Sequence, residues 1–186
     1  MIVVKDLDTG LNVKVSCTVD NKKFILQLKP SSIIPSLQTS YFLKINSRID
    51  REESAQEFVT IKCMDEGTPP QTSSTTITFK ILDLNDNAPY ISDESSLFGL
   101  VNENSPSGSR VTTILAKDKD SEMNGRITFA IQNESLAQIF EIKVTGELIT
   151  LLPLDREKQD KYLVPIIISD GGNPHRSITV TVTVTV

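Results

Sequence analysis

Tryptophan is absent from this 186-residue chain, histidine occurs once and cysteine twice, and no Lys/Arg cluster interrupts the acidic balance of 24 Asp and Glu against 19 Lys and Arg. Each shortage excludes something. Without a basic cluster there is no face for a phosphate backbone, which sets nucleic acid aside as a partner. His175, the single histidine, lies in a Pro/Gly turn region with no Ser or Cys in a nucleophile setting beside it, so it reads as a surface loop residue. Two cysteines are too few for a disulfide framework and do not settle the redox compartment. No apolar run is long enough to cross a bilayer, and the start, Met1 to Asp6, lacks the architecture of a signal peptide. The chain is therefore expected to be a piece of a longer protein or to have its export signal outside it.

Helical periodicity is missing too, since no segment sustains it over three turns. What the chain has instead is short alternation. Val13, Val15 and Cys17 alternate with polar residues, as do Phe24, Leu26 and Leu28, then Ile77, Phe79 and Ile81, and finally Ile178 through Val186 with threonines between. Period-two runs broken by turn signals predict all-β sandwich modules.

Near the middle stands Asp83-Leu84-Asn85-Asp86-Asn87-Ala88-Pro89. Its carboxylates, amides and carbonyls suit a hard divalent cation such as calcium. The same residue types also build ordinary turns by bonding their own backbone. Which reading holds depends on whether acids elsewhere in the chain return to this segment.

Those acids come in two ordered sets. Asp118-Lys119-Asp120 with Asn124-Gly125 follows the pattern of the Asp6 to Asn12 turn at an offset of 112 residues. Leu154-Asp155-Arg156-Glu157 repeats Ile49-Asp50-Arg51-Glu52, and Asp170 to Pro174 repeats Asp65 to Pro69, both at an offset of 105. Landmarks recurring in order at a near-constant period indicate tandem homologous modules. Twenty-nine residues separate Pro89 from Asp118, whereas five precede Asp6, so the first module is expected to lack its opening strands.

With these motifs and Val101-Asn102-Glu103-Asn104-Ser105-Pro106, the sequence resembles two successive extracellular cadherin repeats, most like those of protocadherins and Fat-type cadherins. The resemblance covers nearly the whole chain. It implies two tandem immunoglobulin-like Greek-key β-sandwiches, with residues 1–87 as an N-terminally truncated repeat ending in the linker 83–89, and 88–186 as a nearly complete one.

It also implies three calcium ions where repeats meet. The ion nearest the second repeat would take Asn85, the Asn87 carbonyl, Asp118, Asp120, the Asn124 carbonyl and Asp170. The other two would share Asp50, Glu52, Asp83, the Leu84 carbonyl, Asp86 and Asp120, and would lack a glutamate from the missing first strand. Asp6, Asp8 and Asp65, and separately Glu103, Asp155 and Glu157, would serve junctions to repeats outside the chain. Such crowded carboxylates repel unless a cation sits among them.

In that topology the strands of Cys17 and Cys63 are antiparallel neighbours with each cysteine at its own strand's far end, so both are expected as free core-facing thiols out of disulfide reach. Asn133-Glu134-Ser135 is an N-glycosylation sequon. The role implied is calcium-dependent cell-cell adhesion, homophilic or heterophilic, with other cadherin-type ectodomains. The location implied is the extracellular face of the plasma membrane, anchored by a segment outside this chain. No enzyme reaction and no small-molecule substrate are expected. A calcium-stiffened spacer without adhesive contact is the alternative. Absence of tryptophan speaks against adhesion by tryptophan strand exchange.

Overall fold

The computed structural model describes residues 1–5, 14–29 and 38–186. Asp6 and Asp8 therefore lie outside the described residues. Two compact units result, Met1–Leu82 and Asp83–Val186, so that the whole Asp83–Pro89 segment packs with the second. Each unit is built from short strands, and the only helical turns in the second are 3-10 turns at Glu94–Leu97 and Leu136–Gln138.

Unit 1 holds β1 (Ile2–Lys5), β2 (Val15–Val19), β3 (Phe24–Leu28), β4 (Gln38–Ile45), β5 (Gln56–Asp65) and β6 (Thr72–Lys80). They form two sheets, ordered β1-β4-β3 and β2-β5-β6. The alternation in β5 turns Phe58 to solvent and Val59 and Ile61 inward, where they meet Phe24. Phe24 stacks on Phe79 with ring centroids 5.2 Å apart, which gives a core with few aromatics a directed contact.

The cysteines overturn the expectation drawn for them. Cys17 and Cys63 are disulfide-bonded, with Cα atoms 4.1 Å apart. Cys63 does lie near the end of β5, but Cys17 is the middle residue of β2, and β2 starts opposite Asp65 at the end of β5. That register sets Cys17 directly opposite Cys63. Residue spacing shows the strand face but not the register, which only the pairing of β2 with β5 decides.

Unit 2 holds β7 (Tyr90–Ile91), β8 (Phe98–Leu100), β9 (Arg110–Thr113), β10 (Ala116–Lys117), β11 (Thr128–Ile131), β12 (Phe140–Ile142), β13 (Glu147–Thr150), β14 (Lys161–Ser169) and β15 (Ser177–Thr185). One sheet is ordered β11-β14-β15-β8 and the other β12-β13-β9, with a β7-β10 ribbon leading from Pro89. Val164, Ile166 and Ile168 of β14 and Val182 and Val184 of β15 are fully buried between the sheets. At about 1.5–3 kcal/mol for each fully buried aliphatic side chain, these two strands supply much of the driving force for this unit. Pro165 sits within β14, but its carbonyl accepts the Gln132 N–H at 2.9 Å, so the N–H it lacks would have pointed just past the end of β11.

The two units share one register. Gln56 faces Lys80 across β5 and β6, and Lys161 faces Thr185 across β14 and β15, each shifted by the 105 residues seen in the motifs. Unit 2 adds β8, paired parallel to the end of β15. Among the described residues, β6 has no corresponding partner on its outer edge.

Candidate metal centre

Four pieces of unit 2 meet at one end of its sandwich: the 83–89 segment, the turn after β10, the Asn124-Gly125 turn, and the loop joining β14 to β15. In the turn after β10, the Asp120 N–H bonds Asp118 Oδ1 at 2.9 Å, a side-chain-to-backbone turn that holds both carboxylates in place. Asp120 is 7% exposed, and Asn87 donates to it twice, from its backbone N–H at 3.1 Å and from Nδ2 at 2.7 Å. The same Nδ2 lies 2.9 Å from Asp86 Oδ1. Gly125 is required here because a Cβ on it would collide with the Asp120 carbonyl.

Asp83 accepts the Ser121 N–H at 3.2 Å and Asn124 Nδ2 at 2.9 Å. The Leu84 carbonyl accepts the Asp86 N–H at 2.7 Å. Asp170, 4% exposed, accepts the N–H groups of Gly172 and Arg176, each at 3.0 Å. Burial works against its charge, but the Arg176 and Gly172 amides, the Asn85 carboxamide and His175 outweigh it, and the carboxyl lies below the usual aspartate range. Asn85 is fixed by its Nδ2 donating to the Pro174 carbonyl at 2.8 Å, while its own carbonyl accepts Arg176 Nε at 2.9 Å.

Two oxygens in this set accept nothing. Asn85 Oδ1 and Asp118 Oδ2 are buried and have no hydrogen-bond partner among the described residues. Leaving a buried polar atom unsatisfied costs about 1–3 kcal/mol, and more for a charged one. The donor set is entirely oxygen, which is the preference of a hard divalent cation. Unit 2 thus gathers Asp83, Asn85, Asp86, Asn87, Asp118, Asp120, Asn124 and Asp170, and its two bare oxygens have the chemistry that suits a hard divalent cation.

Arg176 and Ser121 were not anticipated from the sequence. For Arg176 the signal lies in the repeat. Asp65 accepts Gly67 and Gln71 N–H groups through Oδ1, at 3.0 and 2.8 Å, as Asp170 accepts Gly172 and Arg176. A position 105 residues after Gln71 is therefore expected to brace the loop, and that position is Arg176.

Of the remaining residues, Asp50 and Glu52 lie in unit 1 on the turn after β4, where the Glu52 N–H bonds Asp50 Oδ1 at 3.0 Å and Arg51 pairs with Glu52. The Glu52 carboxyl is held above its usual range by partial burial and by Asp50, while Asp50 is held below its own by its bond with Glu52. Unit 2 repeats the motif, with the Glu157 N–H on Asp155 Oδ1 at 3.1 Å and Arg156 paired to Glu157. There Glu103, Asp155 and Glu157 bring carboxylate oxygens within 4.8 Å of one another. The Asn104 N–H on the Leu154 carbonyl, at 2.8 Å, ties the two loop segments that carry them.

Residues 99–186 match the family model "Cadherin domain". Over its full length the chain is 34% identical to human Protocadherin-23 and 29% identical to human Protocadherin-1. Over 77% of its length it is 35% identical to Protocadherin Fat 4 of Mus musculus. It spans 5%, 18% and 3% of those proteins respectively. Among solved structures, the protocadherin gammaB7 EC3-6 cis-dimer aligns with a TM-score of 0.86 at 29% identity, over 97% of this chain and 42% of that one. Extracellular cadherin domains 3-6 of protocadherin gamma B2 align at 0.84 and 31%, over the same shares. The fold is that of an all-β repeat protein, and the chain belongs to the cadherin family, whose members are adhesion proteins and not enzymes.

Proposed function

We propose that this chain binds calcium and acts as part of a calcium-dependent cell-cell adhesion ectodomain on the outer face of the plasma membrane. The carrying observation is the pair of bare, buried oxygens, Asn85 Oδ1 and Asp118 Oδ2, set in an all-oxygen cradle. Asn85, Asp118, Asp120 and Asp170, with the Asn87 and Asn124 carbonyls, are the ligands we assign to it. Bound calcium would supply positive charge to carboxylates that otherwise repel, and would thereby favour the ordered arrangement of the loops that carry them. Asp50, Glu52, Asp83, the Leu84 carbonyl and Asp86 would contribute to further ions that stiffen the joint between repeats. Asp65, Glu103, Asp155 and Glu157 would serve neighbouring repeats.

A ligand that binds only the folded state stabilises it by linkage. Calcium should therefore raise the unfolding temperature and bind with measurable heat, and Asp118→Asn should lose most of both responses. Absence of a calcium response in the parent chain would overturn the assignment. The partners proposed are cadherin-type ectodomains, since the gammaB7 structure is named as a cis-dimer. Sedimentation decides this part: calcium-dependent self-association supports adhesion, while a calcium-binding monomer at high concentration supports the spacer alternative.

A further inference from the structure

One motif remains outside the calcium reading. Asn133-Glu134-Ser135 is the only N-x-Ser/Thr triplet of the chain, and all three residues are exposed. Asn133 lies two residues after the end of β11 and shortly before the 3-10 turn Leu136–Gln138. Its Oδ1 accepts the Leu136 N–H at 3.1 Å, and its backbone carbonyl accepts the Ala137 N–H at 2.9 Å. The bond that positions the side chain therefore uses its oxygen and not its nitrogen. A substituent on Nδ2 leaves that turn intact.

The strand before it needs cover. β11 forms one edge of the four-stranded sheet and pairs with β14 on a single side. Its sequence, Thr128-Phe129-Ala130-Ile131, contains no charge and no proline, the usual devices that stop an exposed edge from pairing with another chain. Unit 1 differs at its corresponding edge: β2 is bounded directly by Lys14 and Asp20 and carries no sequon, whereas the charges nearest β11, Arg126 and Glu134, stand two and three residues from its ends.

We infer that Asn133 carries an N-linked glycan that covers the β11 edge of unit 2. The donor class is an oligosaccharide on a polyprenyl pyrophosphate. Asn133 Nδ2 attacks the anomeric carbon, the C–O bond to the pyrophosphate breaks with its electron pair leaving on oxygen, and the amide nitrogen gives up one proton. The inference rests on the extracellular reading above.

The test supplies that route artificially, so that failure of one reading is separable from failure of the other. The full chain is secreted from eukaryotic cells behind a cleavable export signal and mapped by mass spectrometry before and after peptide-N-glycosidase treatment. A single glycan at Asn133 is expected, lost in Asn133→Gln and in Ser135→Ala and retained in Ser135→Thr. An unmodified Asn133 peptide in the secreted parent chain would overturn the modification. The glycosylated chain and the Ser135→Ala chain are then compared by sedimentation in calcium-free buffer. Self-association confined to the glycan-free form is expected, and identical sedimentation of both forms would overturn the covering role.

Discussion

Cys17 faces Cys63 across β2 and β5 at the position where unit 2 sets Phe129 opposite Ile168. One unit joins these neighbouring strands with a covalent bond, the other with apolar bulk. The substitution suits unit 1, whose buried cluster among the described residues, Phe24, Val59 and Ile61, is smaller than that of unit 2. The bond spans 46 residues of sequence, and loop-closure entropy assigns such a crosslink about 4 kcal/mol. Reduction, or the double variant Cys17→Ala/Cys63→Ala, should lower the unfolding temperature of unit 1 and leave that of unit 2 in place. Melting curves unchanged by reductant would refute this.

Gly172 tests the centre without replacing a proposed ligand. A Cβ on residue 172 would collide with the Asn85 carboxamide. Gly172→Ala should therefore displace Asn85 and weaken calcium binding by about 10–100-fold, the range seen when groups that orient a ligand are altered. Calorimetric titration beside the parent chain measures it, and an unchanged affinity would show that Asn85 is not a ligand.

Asp120 and Asp50 should differ. Asp120 is buried and gripped twice by Asn87, within the set that unit 2 assembles on its own, whereas Asp50 lies on a turn of unit 1. Asp120→Ala should cost more calcium affinity than Asp50→Ala. Equal losses in parallel titrations would count against the assignment of ligands.

Acid should weaken unit 1 through Glu57. Lys23 Nζ lies 2.6 Å from Glu57 Oε1 and Asn21 Nδ2 lies 2.9 Å from Oε2, and these bonds, Lys23 first, hold the buried carboxyl below the usual glutamate range. A carboxyl with a depressed folded-state pKa contributes stability that is present above its unfolded-state pKa and is lost as pH falls through the folded one. Stability of unit 1 measured by denaturant between neutral pH and pH 3 should fall, and Glu57→Gln should flatten part of that slope. A slope identical in the variant would remove Glu57 as its source.

Much of this protein was legible in its residues. Val/Thr alternation in β15, the alternations of Phe24 to Leu28 and Ile77 to Ile81, and the acids at an offset of 105 are local properties of sequence, and they pointed to the strands, the repeat and the family. The set Asn85, Asp118, Asp120 and Asp170 was nameable for the same reason. Register was not legible, because a two-residue slide of β2 keeps the same residues on the inward face, and only its packing against β5 set Cys17 opposite Cys63. Nor could the sequence show that the Asn85 and Asp118 oxygens are buried and bare, or that Arg176 reaches Asn85 across 91 residues. Those facts depend on distances between segments far apart in the chain, which tertiary packing alone decides.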